Sequence, residues 1–176
     1  MRRILVVATR QIGDVLLTTP LIRAARERWP QARIDVLGLA GTLGLVRGNP
    51  DVAELIETRR GDGWRAALVL LRRLWRRYDL ALVTQESDRA HLYAFLAAPV
   101  RAGVVPSTPR HAWWKRLLLR HAVVAAGDRG DTHSADEKLA LLRPWQQAAA
   151  AAAPVAPTTV VPTPMRISFR RRRRPN

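Results

Sequence analysis

The stretch from position 11 to 20, QIGDVLLTTP, sets a single carboxylate, Asp14, beside Gly13 and ahead of an apolar run, directly after the apolar stretch RRILVVAT. Two kinds of chemistry suit an acid so placed. As a helix N-cap it accepts hydrogen bonds from the first free backbone amides, contributes about 1 kcal/mol and complements the helix dipole. As a general base it accepts a proton from a bound hydroxyl while the turn's amides organise the surroundings. Spacing alone favours the cap and leaves the base open. Phosphate cradles of the usual kinds are missing from this turn: ATRQIGDV holds one glycine where a dinucleotide fingerprint needs three, and no loop ends in Gly-Lys-Ser/Thr. His91, His111, His121 and His133 lack the spacing of a shared metal site, so no metal is expected, and His133 reads as a capping or structural residue.

The elements that must position Asp14 follow from periodicity. Residues 2–9 read as a strand, and the pattern from Asp14 to Trp29 as a helix closed by Pro30. Pro20 lies inside that pattern and predicts a kink, or a restart with Thr19 as cap. A second strand over 32–40 completes a βαβ unit, which implies a parallel sheet with a right-handed crossover. The same grammar continues with strands over 53–59, 79–85, 101–105 and 121–127 and helices over 63–78, 88–98 and 133–145, with 111–120 helical or irregular. The last helix opens on SADE, a capping-box pattern. In the 63–78 helix, Trp64, Ala67, Leu68, Leu71, Leu74, Trp75 and Tyr78 recur at three- and four-residue steps, which predicts a stripe facing the sheet. The fold class is therefore α/β, a doubly wound, Rossmann-like parallel sheet.

At 176 residues the chain suits one domain, and its lack of cysteine excludes a disulfide scaffold and fits a reducing, cytoplasmic setting. No run reaches the roughly 18 uncharged apolar residues of a membrane span. The net charge is +16, of which Arg166 and the run Arg170–Arg174 supply six; the remainder is still +10, which favours anionic partners. After Trp145 the sequence turns to alanine, proline and arginine with no acids, so residues 1–145 are expected to form the domain and 146–176 a disordered, low-complexity tail. An arginine-rich tail also suits a second function class, a nucleic-acid-binding protein with tryptophans stacking on bases. Against it, no helix-turn-helix, RNA-recognition or zinc signature is present, and nucleic acid is not the expected partner.

The opening ILVVATRQIGDVLLTTPLIRAARERWPQARIDVL resembles the N-terminus of glycosyltransferase family 9, the bacterial lipopolysaccharide heptosyltransferases. Weaker likenesses follow in order at NPDVAELIE, YDLALVTQ, APVRAGVVPSTPR and HSADEKLALLRPW. The resemblance implies the N-terminal, acceptor-side half of a GT-B enzyme, an inverting glycosyltransferase that needs no metal or cofactor. Its donor would be a nucleotide-activated sugar such as ADP-heptose and its acceptor a phosphorylated lipopolysaccharide-core glycolipid. It places the general base at Asp14, next to Gly13, and Arg60, Arg65 and Arg110 as phosphate-binding candidates, with Arg10 a further one by its nearness to the turn. The family's glycine-containing turn after the fourth strand is replaced by Glu86, Ser87 and Asp88, which bears on acceptor specificity. The family's second, donor-binding domain has no counterpart in 146–176, so the chain is expected to be a truncated half or one that docks on a separate donor-domain chain. Trp113, Trp114, Leu117 and Leu118 beside Lys115, Arg116 and Arg120 suit either a peripheral contact with the inner membrane or an ordinary core-facing helix.

Overall fold

The computed structural model describes residues 1–59, 61, 63–125 and 134–152. Six strands, β1 (Arg3–Ala8), β2 (Arg33–Leu39), β3 (Glu54–Thr58), β4 (Leu80–Val83), β5 (Val100–Val105) and β6 (His121–Val124), form one sheet. The order is β3-β2-β1-β4-β5-β6 and every pairing is parallel. Parallel strands covered on both faces read as nearly continuous apolar runs, and Ile4 to Ala8 are all buried accordingly. The chain reverses its direction of winding between β1 and β4, and ligands in such sheets bind outside the strands' carboxyl ends at that point.

Alternate side chains of each strand feed two cores. Ile4, Val6, Ile34 and Leu82 pack against Leu21, Ile22 and Ala25 of the helix α2 (Thr19–Arg28), and against Leu141 and Leu142 of a 3₁₀ turn (Ala140–Leu142). Leu5, Val7, Leu37 and Val83 pack against Leu74 of α3 (Trp64–Leu74) and against Ala90, Tyr93, Ala94 and Ala97 of α4 (Asp88–Ala97). A fifth helix, α5 (Pro109–Leu118), lies beside α4. On the opposite face, α6 (Ser134–Leu139) rests on α2.

Three local expectations need correction. The helix expected from Asp14 to Trp29 is two helices, α1 (Ile12–Leu16) and α2, with Pro20 in the first turn of the second. The N-cap of α2 is Thr18 rather than Thr19. Both hydroxyls point backwards, Thr18 Oγ1 donating to Asp14 O (2.8 Å) and Thr19 Oγ1 to Leu16 O (2.7 Å), so they serve the carbonyls that end α1.

The stripe of α3 does not face the sheet as a whole. Leu74 and, beyond the helix, Tyr78 are buried, whereas Trp64, Leu68 and Trp75 are exposed. The helix rests on α4, and that neighbour covers only one side of it. Finally, α7 (Arg143–Ala152) carries helix past Trp145 into the alanine run, as the strongest helix former allows. It is tied to α2 by an edge-to-face contact of Trp145 with Trp29 (5.9 Å) and by Arg28 Nε donating to Trp145 O (3.2 Å). The remaining residues of the expected tail, 153–176, lie outside the described residues.

Candidate functional site

Asp14 is the third residue of α1, and the N-cap is Gln11, whose carbonyl accepts the Asp14 amide at 3.0 Å. The cap reading of Asp14 is thus corrected: the backbone turns helical ahead of it. Its carboxylate still lies in the first turn, where the helix's positive end favours an anion. It is part-exposed, at 31%, and directed at an ammonium: Lys138 Nζ of α6 stands 3.6 Å from Asp14 Oδ1, and the Lys138 side chain is only 3% exposed. A buried lysine therefore meets the candidate base across the α2–α6 packing. Gly13 beside it is exposed, and a Cβ there would meet nothing within 4 Å, so the surface next to the carboxylate is open.

A cleft of about 260 Å³ opens at the carboxyl edge, at the reversal of winding. Thr9 and Arg10 after β1, Thr58 at the end of β3, and Ser87, Arg89 and Tyr93 of the β4–α4 turn and α4 line it. Asp14 is not in its wall. Gln85 Nε2 donates to Thr9 Oγ1, and Thr84 Oγ1 donates to Val7 O at 3.1 Å, so side chains after β4 stitch the two strands at the reversal point. Buried Gln85 Oε1 has no partner among the described residues. The Arg89 guanidinium is held on the cleft by Nε donating to Tyr93 Oη (2.5 Å), lies 5.5 Å over that ring, and reaches Thr58 Oγ1 at 3.4 Å. A guanidinium so held loses little freedom on meeting an anion.

Behind this wall, Lys115 of α5 is also buried; it pairs with Asp88 (2.6 Å) and donates to Glu86 O, securing the turn of Glu86, Ser87 and Asp88. His91 Nδ1 lies 2.8 Å from Ser87 O, and its ring meets Trp114 edge-on at 6.3 Å. Burial pushes the His91 imidazole below the ordinary histidine range, and Lys115 adds to the shift. His121 Nε2 is 3.1 Å from Ala140 O, a structural contact. Among the described residues no three metal-ligating side chains gather. His133 and the side chain of His111 lie outside the described residues.

Of the phosphate-binding candidates among the described residues, Arg10 alone lines the cleft. Arg65 and Arg110 are exposed near the starts of α3 and α5, and the Arg65 guanidinium lies over the Trp64 ring at 5.3 Å. Arg60 lies outside the described residues, as do Arg166 and Arg170–Arg174, on which the nucleic-acid reading rests. Sequence reasoning missed three side chains. Arg89 and Tyr93 are four apart on one helix face, a visible spacing; nothing local marks Lys138 as the partner of Asp14.

The strand order, with ligand space outside the carboxyl ends of the strands, defines a Rossmann-like α/β domain. No family model matches the chain. Lipopolysaccharide heptosyltransferase 2 of Escherichia coli (strain K12) is 35% identical over 154 residues, covering 77% of this chain and 43% of that protein. The solved structure of E. coli ADP-heptose lipopolysaccharide heptosyltransferase II matches with a TM-score of 0.59 at 29% identity, over 80% of this chain and 40% of that one. A glycosyl transferase family 9 structure from Veillonella parvula DSM 2008 shares the fold with a TM-score of 0.65 at 22% identity, over 82% and 41% of the two chains. Over the residues it matches the chain is heptosyltransferase-like, and it spans about two fifths of the length of the curated relatives it matches.

Proposed function

We propose that this domain is the acceptor-binding half of an inverting glycosyltransferase of the heptosyltransferase type. The observation that carries the reading is the part-exposed Asp14 carboxylate at the sheet's carboxyl edge, in a chain whose relatives are lipopolysaccharide heptosyltransferases. In the reaction, an acceptor hydroxyl forms its bond to the anomeric carbon of a nucleotide-activated sugar such as ADP-heptose. Asp14 takes the hydroxyl proton and the nucleoside diphosphate departs with the bonding pair. The acceptor is a phosphorylated lipopolysaccharide-core glycolipid. Arg10 and Arg89 meet its anionic groups in the cleft, with Arg65 and Arg110 as outer contacts and Arg60 a further phosphate-binding candidate, and Gly13 leaves room for the sugar beside the base. Transfer needs no metal; the donor is held by a second domain, in cis or on a separate chain, because holding both reactants together supplies much of the rate. The work is done at the cytoplasmic face of the inner membrane.

The test is binding and transfer with the full chain. Detergent-solubilised phosphorylated core glycolipid is expected to bind with ADP-heptose binding far more weakly, and heptose transfer to appear when a family donor-binding domain is added. Wild-type transfer rates from an Asp14→Asn protein in that assay would remove Asp14 from the chemistry, and tight ADP-heptose binding with no glycolipid binding would reverse the assignment of the half.

A further inference from the structure

We infer that the outer surface of the α3–α4–α5 layer is a docking face for an anionic lipid bilayer. This face gives the membrane contact proposed above a location, yet the observations for it are independent of glycosyl transfer. Trp64, Leu68 and Trp75 recur along one side of α3 at helical spacing and are left uncovered, the two indoles 72% and 59% exposed. Trp75 and Phe95 of α4 line one shallow hollow, so the strip on α3 adjoins the exposed apolar face of α4. On α5, Trp113 and Leu117 are one turn apart and 63% and 77% exposed. Three neighbouring helices thus leave large apolar side chains in water on one face of the sheet, against the ordinary drive to bury them.

The chemistry of the flanks selects the occupant. Arg65 and Arg72 lie beside the apolar strip of α3, Arg76 follows it, and Arg116 stands on α5 next to Leu117; neither α3 nor α5 contains an acid. The one acid of α4, Asp88, is engaged by Lys115. Arg101 lies 5.2 Å over the Phe95 ring, a cation held at the edge of the apolar hollow. A second copy docked through this face would set arginines against arginines. A bilayer carrying anionic headgroups offers the complement: indoles and leucines enter the headgroup–acyl boundary while guanidinium groups stay at phosphate level. Trp29 and Trp145, by contrast, pack on each other against the opposite side of the sheet.

The experiment uses the full chain, with its arginine run present throughout, and vesicles of phosphatidylcholine with or without phosphatidylglycerol but no glycolipid acceptor. Co-sedimentation with the anionic vesicles is expected, with tryptophan emission shifted to the blue and quenched by brominated acyl chains. A Trp64→Ala/Trp75→Ala/Trp113→Ala variant, altered only at exposed positions, is expected to lose at least about tenfold in affinity, together with the blue shift. Arg65→Gln/Arg72→Gln/Arg116→Gln keeps every indole and is expected to lose about fivefold per arginine. Vesicle binding that is unquenched, and equal in both variants and the wild type, would overturn the inference by assigning the attraction to charge elsewhere. So would concentration-dependent dimerisation or capture of an acidic protein abolished by the tryptophan variant, with no quenching by lipid. Because no acceptor or donor is present, failure here leaves the catalytic reading untouched, and the reverse holds as well.

Discussion

Replacing Asp14 by asparagine separates two roles that one carboxylate combines. Lys138 is 3% exposed and its ammonium lies 3.6 Å from Asp14 Oδ1. At that distance and an effective dielectric constant of about 20, the attraction is about 4.6 kcal/mol. The carboxylate keeps 31% of its side chain in water, so screening reduces what its loss costs to about 2 kcal/mol, chiefly the penalty of a buried ammonium left without its counter-charge. For a chain of this length that lowers the thermal midpoint by about 4–8 °C. Lys138→Met is expected to behave differently: it removes the desolvated charge and fills the same space, so stability stays within about 1 kcal/mol of the wild type. The double variant Asp14→Asn/Lys138→Met then regains what the single Asp14→Asn lost, giving a coupling of about 2 kcal/mol in the cycle. Urea unfolding followed by circular dichroism on the four proteins measures it. A coupling under about 0.5 kcal/mol, or an unchanged midpoint for Asp14→Asn, would show that the pair is not an interaction. The cycle also sets how catalysis is assayed: the loss of transfer caused by Asp14→Asn belongs to proton transfer only if it persists in the Lys138→Met background.

Other perturbations follow from the same geometry. The His91 ring is held neutral by burial in the fold, with Lys115 opposing a second charge, but protonates freely in the unfolded chain; stability is full above about pH 6.5 and falls as the pH drops from there toward the depressed folded value. A His91→Leu protein is expected to show a flatter thermal midpoint between pH 7 and pH 5 on scanning calorimetry, roughly the window set by that ordinary histidine value. Tyr78 Oη donates to the buried Asp35 Oδ2 at 2.9 Å, so Tyr78→Phe is expected to cost about 1.5–3 kcal/mol in urea unfolding, the loss of a hydrogen bond to a charged group. A Cβ at Gly38 would overlap Leu43 Cδ2 and sit 3.1 Å from Ala8 O, so Gly38→Ala is expected to lose about 1–3 kcal/mol by overpacking at the end of β1. Arg89→Ala is expected to weaken glycolipid binding about tenfold and, because Tyr93 Oη loses its donor, to lower the midpoint by about 2–4 °C, as measured by titration calorimetry beside thermal unfolding.

The strands were legible because the signal that makes them is local. Buried parallel strands need runs such as ILVVA and LALV, and turns between them need breakers, so their order along the chain and the class of sheet could be read from residues close together. Pro20 announced a break, but which threonine capped the restart depended on the carbonyls of α1 that the hydroxyls reached, and these became available only once α1 had ended at Leu16. The position of Asp14 was legible and its partner was not. Lys138 reaches it only because α6 packs on α2 from the far end of the domain, and no residue near Lys138 encodes that landing place. Arg89 occupies an intermediate position: its spacing to Tyr93 is a sequence fact, whereas its approach to Thr58 requires β3 and α4 to meet at one edge.

The stripe on α3 shows where such reasoning reaches its limit. Periodicity states which side chains share a side of a helix, and it did so correctly for Trp64, Leu68 and Trp75. It cannot state whether another element covers that side, because burial belongs to the neighbour as much as to the helix. A core-facing stripe and a bilayer-facing stripe have the same spacing and differ in what flanks them. On α3 the flank carries Arg65 and Arg72 with no acid to pair them along the helix, a composition that suits lipid phosphates better than an aqueous surface of mixed charge. The sequence therefore held the distinguishing feature in its charges and not in its apolar period, and the exposure of Trp64 and Trp75 gives those charges their reading.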